Sequence, residues 1–553
     1  MTRGTLAALC VGATLLTTAG AQEQHSHHSE SEALGSVHFQ VSCEAAVQAD
    51  FTRAVALLHS FGYEESRKAF AKVAQQDPHC GMASWGIAMT YYHPIWAPPT
   101  PDELAAGAAA ADQANAVSAS TDRERRYIAA IGAFYRDYAR VNHGVRARAY
   151  KEAMEALVQQ YPEDREAAAF YALALLGTAP PNDATFAAQK QAADILNGLL
   201  VQEPQHPGAI HYLIHAYDYP SLATMALPAA RVYAQVAPSS PHALHMPSHI
   251  FTRLGLWSES IDSNLASADA ARRQVASTYP GAASFDALHA LDYLEYAYLQ
   301  IGDDPRAADV RDEAARARKF DDPTFAAGYA LAAIPARFAL ERRRWDEAAK
   351  LEVPDAKLPW QNFPYAHAIT YFAQALGSSR GGDPQRAHAA LAHLQEIGTA
   401  LVSSPVPGPY DWAGQVDSMR LAAAAWLAYS EGGREKAVDL ARTAADLEDR
   451  TGKHPVTPGA VLPARELLAD LLREMGRPEE ALQQYESSLR VAPNRFNSLY
   501  GAAQSAEAAG DSGKAVQLYA TLAGNCVGSS RAEVRSARDF LERQKQTDRG
   551  NNQ

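Results

Sequence analysis

The chain has 553 residues and a formal net charge of -13, with 47% hydrophobic and 20% charged residues. That balance describes a packed soluble protein and argues against extensive disorder. An acidic surplus with no Lys/Arg stripe to reverse it removes nucleic acid and anionic lipid from the expected partners.

The first predicted element, residues 1–21, is an export signal: Arg3, the run TLAALCVGATLLTTAGA, and Ala19, Gly20 and Ala21 in small-x-small order before Gln22. The run is shorter than the roughly 20 residues a spanning helix needs, so no membrane span is expected after cleavage. The exported chain would be periplasmic or secreted. Residues 22–42 begin QEQHSHHSESE, lack apolar periodicity there, and are expected to form a flexible His-rich tail. Cleavage leaves Cys43, Cys80 and Cys526. Cys43 and Cys80, near the starts of successive first helices, are the candidate disulfide in a compartment that favours one, with Cys526 left over.

Beyond this point Ala-rich segments of 3.6-residue period end in Gly-Asp, Gly-Arg or Asp-Pro, and alternating β-type stretches are almost absent. The prediction is all-α throughout: an N-terminal array over 43–285, a C-terminal array over 286–530, and a helix end with a polar tail over 531–553. Early helices carry His59, then Trp85, Met89 and His93. HPGAIHYLIHAYDYP (206–220) places His211 and His215 one helical turn apart, with Asp218 following. HALHMPSHIFTRLGLW (242–257) holds His242, His245 and His249, and the next helix holds His289, Asp292 and Tyr296. Insertions are expected at 178–186 (TAPPNDATF) and 403–411 (SSPVPGPYD). TGKHPVTPGAVLPARELL (451–468) reads as a long inter-helix linker, with a lid as the alternative.

Near the C-terminus a repeat shows itself. Leu468-Ala469, Gly476, Ala481 and Tyr485 are followed, 34 residues on, by Ala502-Ala503, Gly510, Ala515 and Tyr519, with Pro493 between the two sets. Gly432 and Ala437, Gly302 and Ala307, and Gly255, Trp257 and Ser260 fit the same register upstream, while Pro238 and Pro78 close earlier units. This pattern resembles the tetratricopeptide repeat of exported bacterial-type proteins. The resemblance implies an α-α superhelical solenoid of about ten to twelve repeats whose concave side binds partners.

In that register the groove-facing positions of the first helix fall on His211, His215 and Asp218, then His242, His245 and His249, then His289, Asp292 and Tyr296. Those side chains share one helix face. His59, Trp85, Met89 and His93 are groove candidates of second rank, because joining them to the histidines would need a tight superhelical pitch. Two pairs of histidines spaced i, i+4 have the geometry to share one ion, so His211, His215, His245 and His249 are the candidate ligands for zinc, copper or nickel. Asp218 and Asp292 would ligate or orient them. A polar ligand or a peptide in the groove, and plainly structural histidines, remain as alternatives. Pro247 is expected to kink or restart its helix, and a restart would split the stripe. A metal-dependent hydrolase is the enzyme alternative, but His211-Tyr-Leu-Ile-His215 lacks the Glu of H-E-x-x-H. Glu466 and Asp470 lend the C-terminal groove an acidic character. The reading is of an exported binding or scaffold protein for a protein, peptide, metal or small ligand, rather than a catalyst.

Overall fold

A computed structural model describes residues 1–2 and 32–551, apart from 96–97, 118–120, 182, 407 and 409. The export signal beyond Thr2 and the HSHH tract lie outside the described residues. Helices follow one another from Ala45–Val47 to Ala532–Asn551, and among the described residues the single extended pairing is the isolated bridge between Ala283 and Phe320. Each helix packs on the next in the chain, and alternate helices also touch: Gly81–Thr90 on Asp122–Tyr135, Phe285–Gln300 on Phe325–Glu341, and Pro364–Gly381 on Trp412–Ser430. Hairpins stacked in this way form an α-α solenoid with a continuous core. The Trp257–Thr278 helix packs on Phe285–Gln300, so the array runs through position 285 without a break.

Local chemistry sets the hairpins. A Cβ on Gly86 would lie 2.4 Å from the Phe70 ring, and one on Gly501 would lie 2.2 Å from Tyr485, so two hairpins close on the same glycine-against-ring contact. Between paired helices the chain turns through the left-handed region, with Gly255, Gly302, Gly432, Gly476 and Gly510 all at positive φ. Two turns of this kind use other residues, Phe61 at φ 54° and Arg343 at φ 56°. A side chain costs about 1–2 kcal/mol there. Both side chains point into the molecule, as described below.

Several expectations are revised. Residues 32–42 are not a flexible tail: Leu34, Val37 and Phe39 are buried, Ser36 donates to the Gln205 carbonyl, and Phe39 sits edge-on to Phe51 and Trp85. The alternation of apolar residues in this short segment fills a seam between helices. The C-terminal residues likewise form one helix, Ala532–Asn551, with Val534, Ala537 and Phe540 buried. Cys43 and Cys80 are disulfide-bonded with Cα atoms 4.8 Å apart, and Cys526 is a buried thiol. The C-terminal groove is not acidic, because Glu466 is fully buried between Arg495 and Arg343, and Asp470 also pairs with Arg343.

The superhelix is tight. Tyr233 donates to Ser60 and Tyr279 to Glu64, across 173 and 215 residues. Farther along, Trp257 donates to the Asn494 carbonyl and Arg531 pairs with Asp304. Both ends of the chain therefore fold back on its middle, where the histidines lie.

Candidate metal centre

Pro207–Tyr217 presents His211 and His215 on successive turns of one face. The following stripe is bent as Pro247 requires. Ser240 caps Pro241–His245, and a second helix, Pro247–Arg253, restarts directly after Met246, whose backbone stays helical. The bend divides the three histidines. His242 joins His211 and His215, whereas His245 and His249 join His289 from Phe285–Gln300. The expected first set of four thus becomes two trios of three, each with candidate ligand nitrogens within 4.8 Å of one another.

Within the first trio the Nε2 atoms of His215 and His242 each lie 3.1 Å from that of His211. In the second, His245 Nε2 and His249 Nε2 are 3.1 Å apart. Ligand nitrogens held at about 2.0–2.1 Å around a tetrahedral ion are themselves about 3.4 Å apart, so this spacing needs little adjustment to accept one. Ring centroids across the boundary, His215 to His249 and His242 to His245, are 6.2 and 6.3 Å apart, barely longer than the 6.0 Å between His249 and His289 inside one trio. The six rings line a single chamber.

Hydrogen bonds on the far side of the rings fix which nitrogen faces inward. His211 Nδ1 donates to the carbonyl of His59 at 2.7 Å. His245 Nδ1 donates to Asn264 Oδ1 at 2.7 Å, and Asn264 is oriented by donating its own amide to the Ser260 carbonyl. His249 Nδ1 donates to Asp218 Oδ2 at 3.1 Å. With Nδ1 carrying the proton, Nε2 carries a lone pair. His245 and His249 therefore aim two lone pairs at each other across 3.1 Å. Burial, reinforced by neighbouring rings, pushes His211 down to about 3 and holds His215, His242 and His289 well below the ordinary imidazole value. Burial also lowers His249, though Asp218 opposes the shift. A shared proton is thus a poor remedy for the repulsion, and a cation is a good one.

Asp218 organises this wall. It accepts from His249, from Arg253 at 2.8 Å and from Lys453 at 3.0 Å. Burial lowers Lys453 to about 8, against the pull of Asp218. Lys453 arrives on the 451–463 connection, and Tyr293 donates to the Thr457 carbonyl of the same segment. The connection read as a linker thus packs against the chamber. Asp292 does not face the histidines: it pairs with Arg337 at 2.7 Å, and Tyr296 accepts from Arg495.

Of the second-rank residues, His59 reaches the site through its carbonyl, while its ring is engaged by Tyr212 and by Glu166, which also pairs with His206. That buried trio satisfies itself, and burial lowers His59 only against the opposing Glu166 charge. Trp85 lies in the core among Phe39, Tyr127 and Phe170, and Met89 is buried beside it. His93 packs on Tyr63, one turn away from Phe61. Phe61 itself, with no polar atom to mark it in the sequence, lies against three ligand rings: His211 at 4.3 Å and His215 and His242 at 5.7 Å. Asn264 and Lys453 were equally unmarked.

No family model and no curated protein matches this chain. Among solved structures, yeast Tom70 aligns over 91% of this chain and 96% of its own, with 11% identity and a TM-score of 0.33. Similarity at that level bears on neither ligand nor activity.

Proposed function

We propose that this is an exported helical-repeat binding protein, of tetratricopeptide type, whose central chamber holds transition metal on imidazole. The observation that carries the reading is the His245–His249 pair, two bare Nε2 atoms 3.1 Å apart whose Nδ1 protons are both committed elsewhere. Outer hydrogen bonds of this kind orient metal ligands and raise their basicity. Neutral imidazole suits zinc, copper and nickel. The Cys43–Cys80 disulfide supports an oxidising compartment, periplasmic or extracellular.

The peptide-groove reading asks that these rings be open to an extended chain. Five of the six are at most 8% exposed and His215 alone is half-buried, so a peptide would have to seat elsewhere on the array. The hydrolase reading asks for a free base beside the metal, and Asp218 is held by three donors. Scaffolding of a protein partner rests on the solenoid architecture alone.

Calorimetric titration of the metal-stripped, untagged chain with zinc or copper tests the proposal. Tight binding is expected, and the double substitution His215→Ala/His249→Ala should abolish it while leaving the helical circular dichroism intact. Unchanged binding in that variant would remove both residues as ligands.

A further inference from the structure

The two trios come from three consecutive first helices and share one chamber, yet each is complete by itself. Each offers three imidazoles, and among the described residues no carboxylate or thiolate joins either. Two ions held in this way lie close together with no protein anion between them. A small exogenous anion is needed to bridge the charge, and only an ion content with three neutral nitrogens is suited to wait without it. Of the metals that imidazole selects, Cu(I) has the lowest charge and accepts three nitrogens.

The surroundings limit what reaches the pair. Phe61 is held at positive φ in a turn where the other hairpins use glycine, and its ring lies over His211, His215 and His242. On its other side is a narrow cleft lined by Leu58, Met89, Tyr92, Phe170 and Leu173. This approach is apolar and favours a small, uncharged molecule over a polar or bulky one.

Resting on the metal-binding reading above, we propose that the trios hold a pair of copper ions that together bind dioxygen as a bridging ligand. The balance closes within the site. Two Cu(I) ions each lose one electron, O2 gains both, its double bond becomes the single bond of peroxide, and the peroxide spans two Cu(II) ions. No proton and no external reductant are required. Release of O2 reverses the electron flow. His211, His215 and His242 ligate one ion, and His245, His249 and His289 the other.

The test loads the full, untagged chain anaerobically with Cu(I) and then admits oxygen. Expected are about two coppers per chain, uptake of about one O2 per copper pair, a new near-ultraviolet charge-transfer band, and a Cu(II) paramagnetic resonance signal far below the copper content because the paired spins cancel. His289→Ala should bind about half the copper, lose oxygen uptake, and on chemical oxidation show an isolated Cu(II) signal. Since that variant replaces a buried ring, the spin count on the unsubstituted protein stands as the independent readout. A full-strength signal from two oxidised coppers, two coppers without oxygen uptake, or a single metal shared by all six histidines would overturn the paired-copper proposal and leave metal binding intact. Failure to bind zinc, copper or nickel at all would instead overturn the metal reading itself.

Discussion

Two chambers in this solenoid bury many polar groups, and they solve the problem of burial in opposite ways. In the C-terminal half, Arg495 lies at 0% exposure against Glu341 and Glu466, and Arg337 at 0% against Asp292 and Glu295. Every charge there has an opposite. In the histidine chamber six bases of one kind face one another, with their proton-bearing nitrogens directed outward. The first arrangement satisfies itself and reads as structural. The second is incomplete as it stands, and the missing part must be something that accepts several lone pairs. The His59–Glu166–His206 cluster, within hydrogen-bonding reach of the second chamber, repeats the self-satisfied solution on a smaller scale.

This contrast is broken most severely at Arg495. Replacing it with methionine (Arg495→Met) leaves Glu341 and Glu466 buried and unpaired, and a loss of about 3–5 kcal/mol in denaturant unfolding is expected. Metal affinity should not change, since no ligand contacts Arg495. In the other chamber the order reverses. Asn264→Ala frees His245 Nδ1, and metal affinity should fall by about 10–100-fold in competition titrations, with a smaller cost in stability.

Acid should act on the metal-free histidine chamber before it acts on the ion pairs. The ordinary imidazole value is 6.5, and His211 is pushed down to about 3 by burial. In that window the unfolded chain binds more protons than the folded one, so stability rises with pH. It is fully present above about pH 6.5 and is lost as pH falls, each such imidazole contributing up to about 1.4 kcal/mol per pH unit. Urea midpoints of the stripped protein should therefore drop between about pH 7 and pH 5, and bound metal should suppress the drop. A flat profile would mean that the rings are hydrated or protonated in the fold.

A smaller effect is expected from Gly208→Ala. The added Cβ would lie 2.3 Å from His59 Nδ1, displacing the residue whose carbonyl orients His211. A cost of about 1–3 kcal/mol is expected, accompanied by weaker metal binding. Val201→Thr, on an 85% exposed side chain, should move stability by less than about 0.5 kcal/mol and affinity not at all.

The repeat register made the site's main residues legible. Spacing alone put His211, His215, His242, His245, His249 and His289 on groove-facing positions, because i, i+3 and i, i+4 neighbours share a helix face. The division into two trios was not legible, since it depends on where the Pro247 bend sends each ring. Asp292 was misread because its partner, Arg337, lies on the next first helix, 45 residues on. His59, Phe61 and Lys453 reach the chamber only through the superhelical pitch, which is set by packing across more than 150 residues. Residues 32–42 were misread because their polar beginning hid three buried apolar side chains.

The most direct test of the central claim is the metal content of the chain from residue 32 onward, purified untagged so that no HSHH tract contributes. The account predicts that zinc, copper or nickel is retained through dialysis and leaves only with a strong chelator, raising the unfolding midpoint when restored. A protein that stays metal-free after reloading, with an unfolding midpoint indifferent to every added metal, would contradict it.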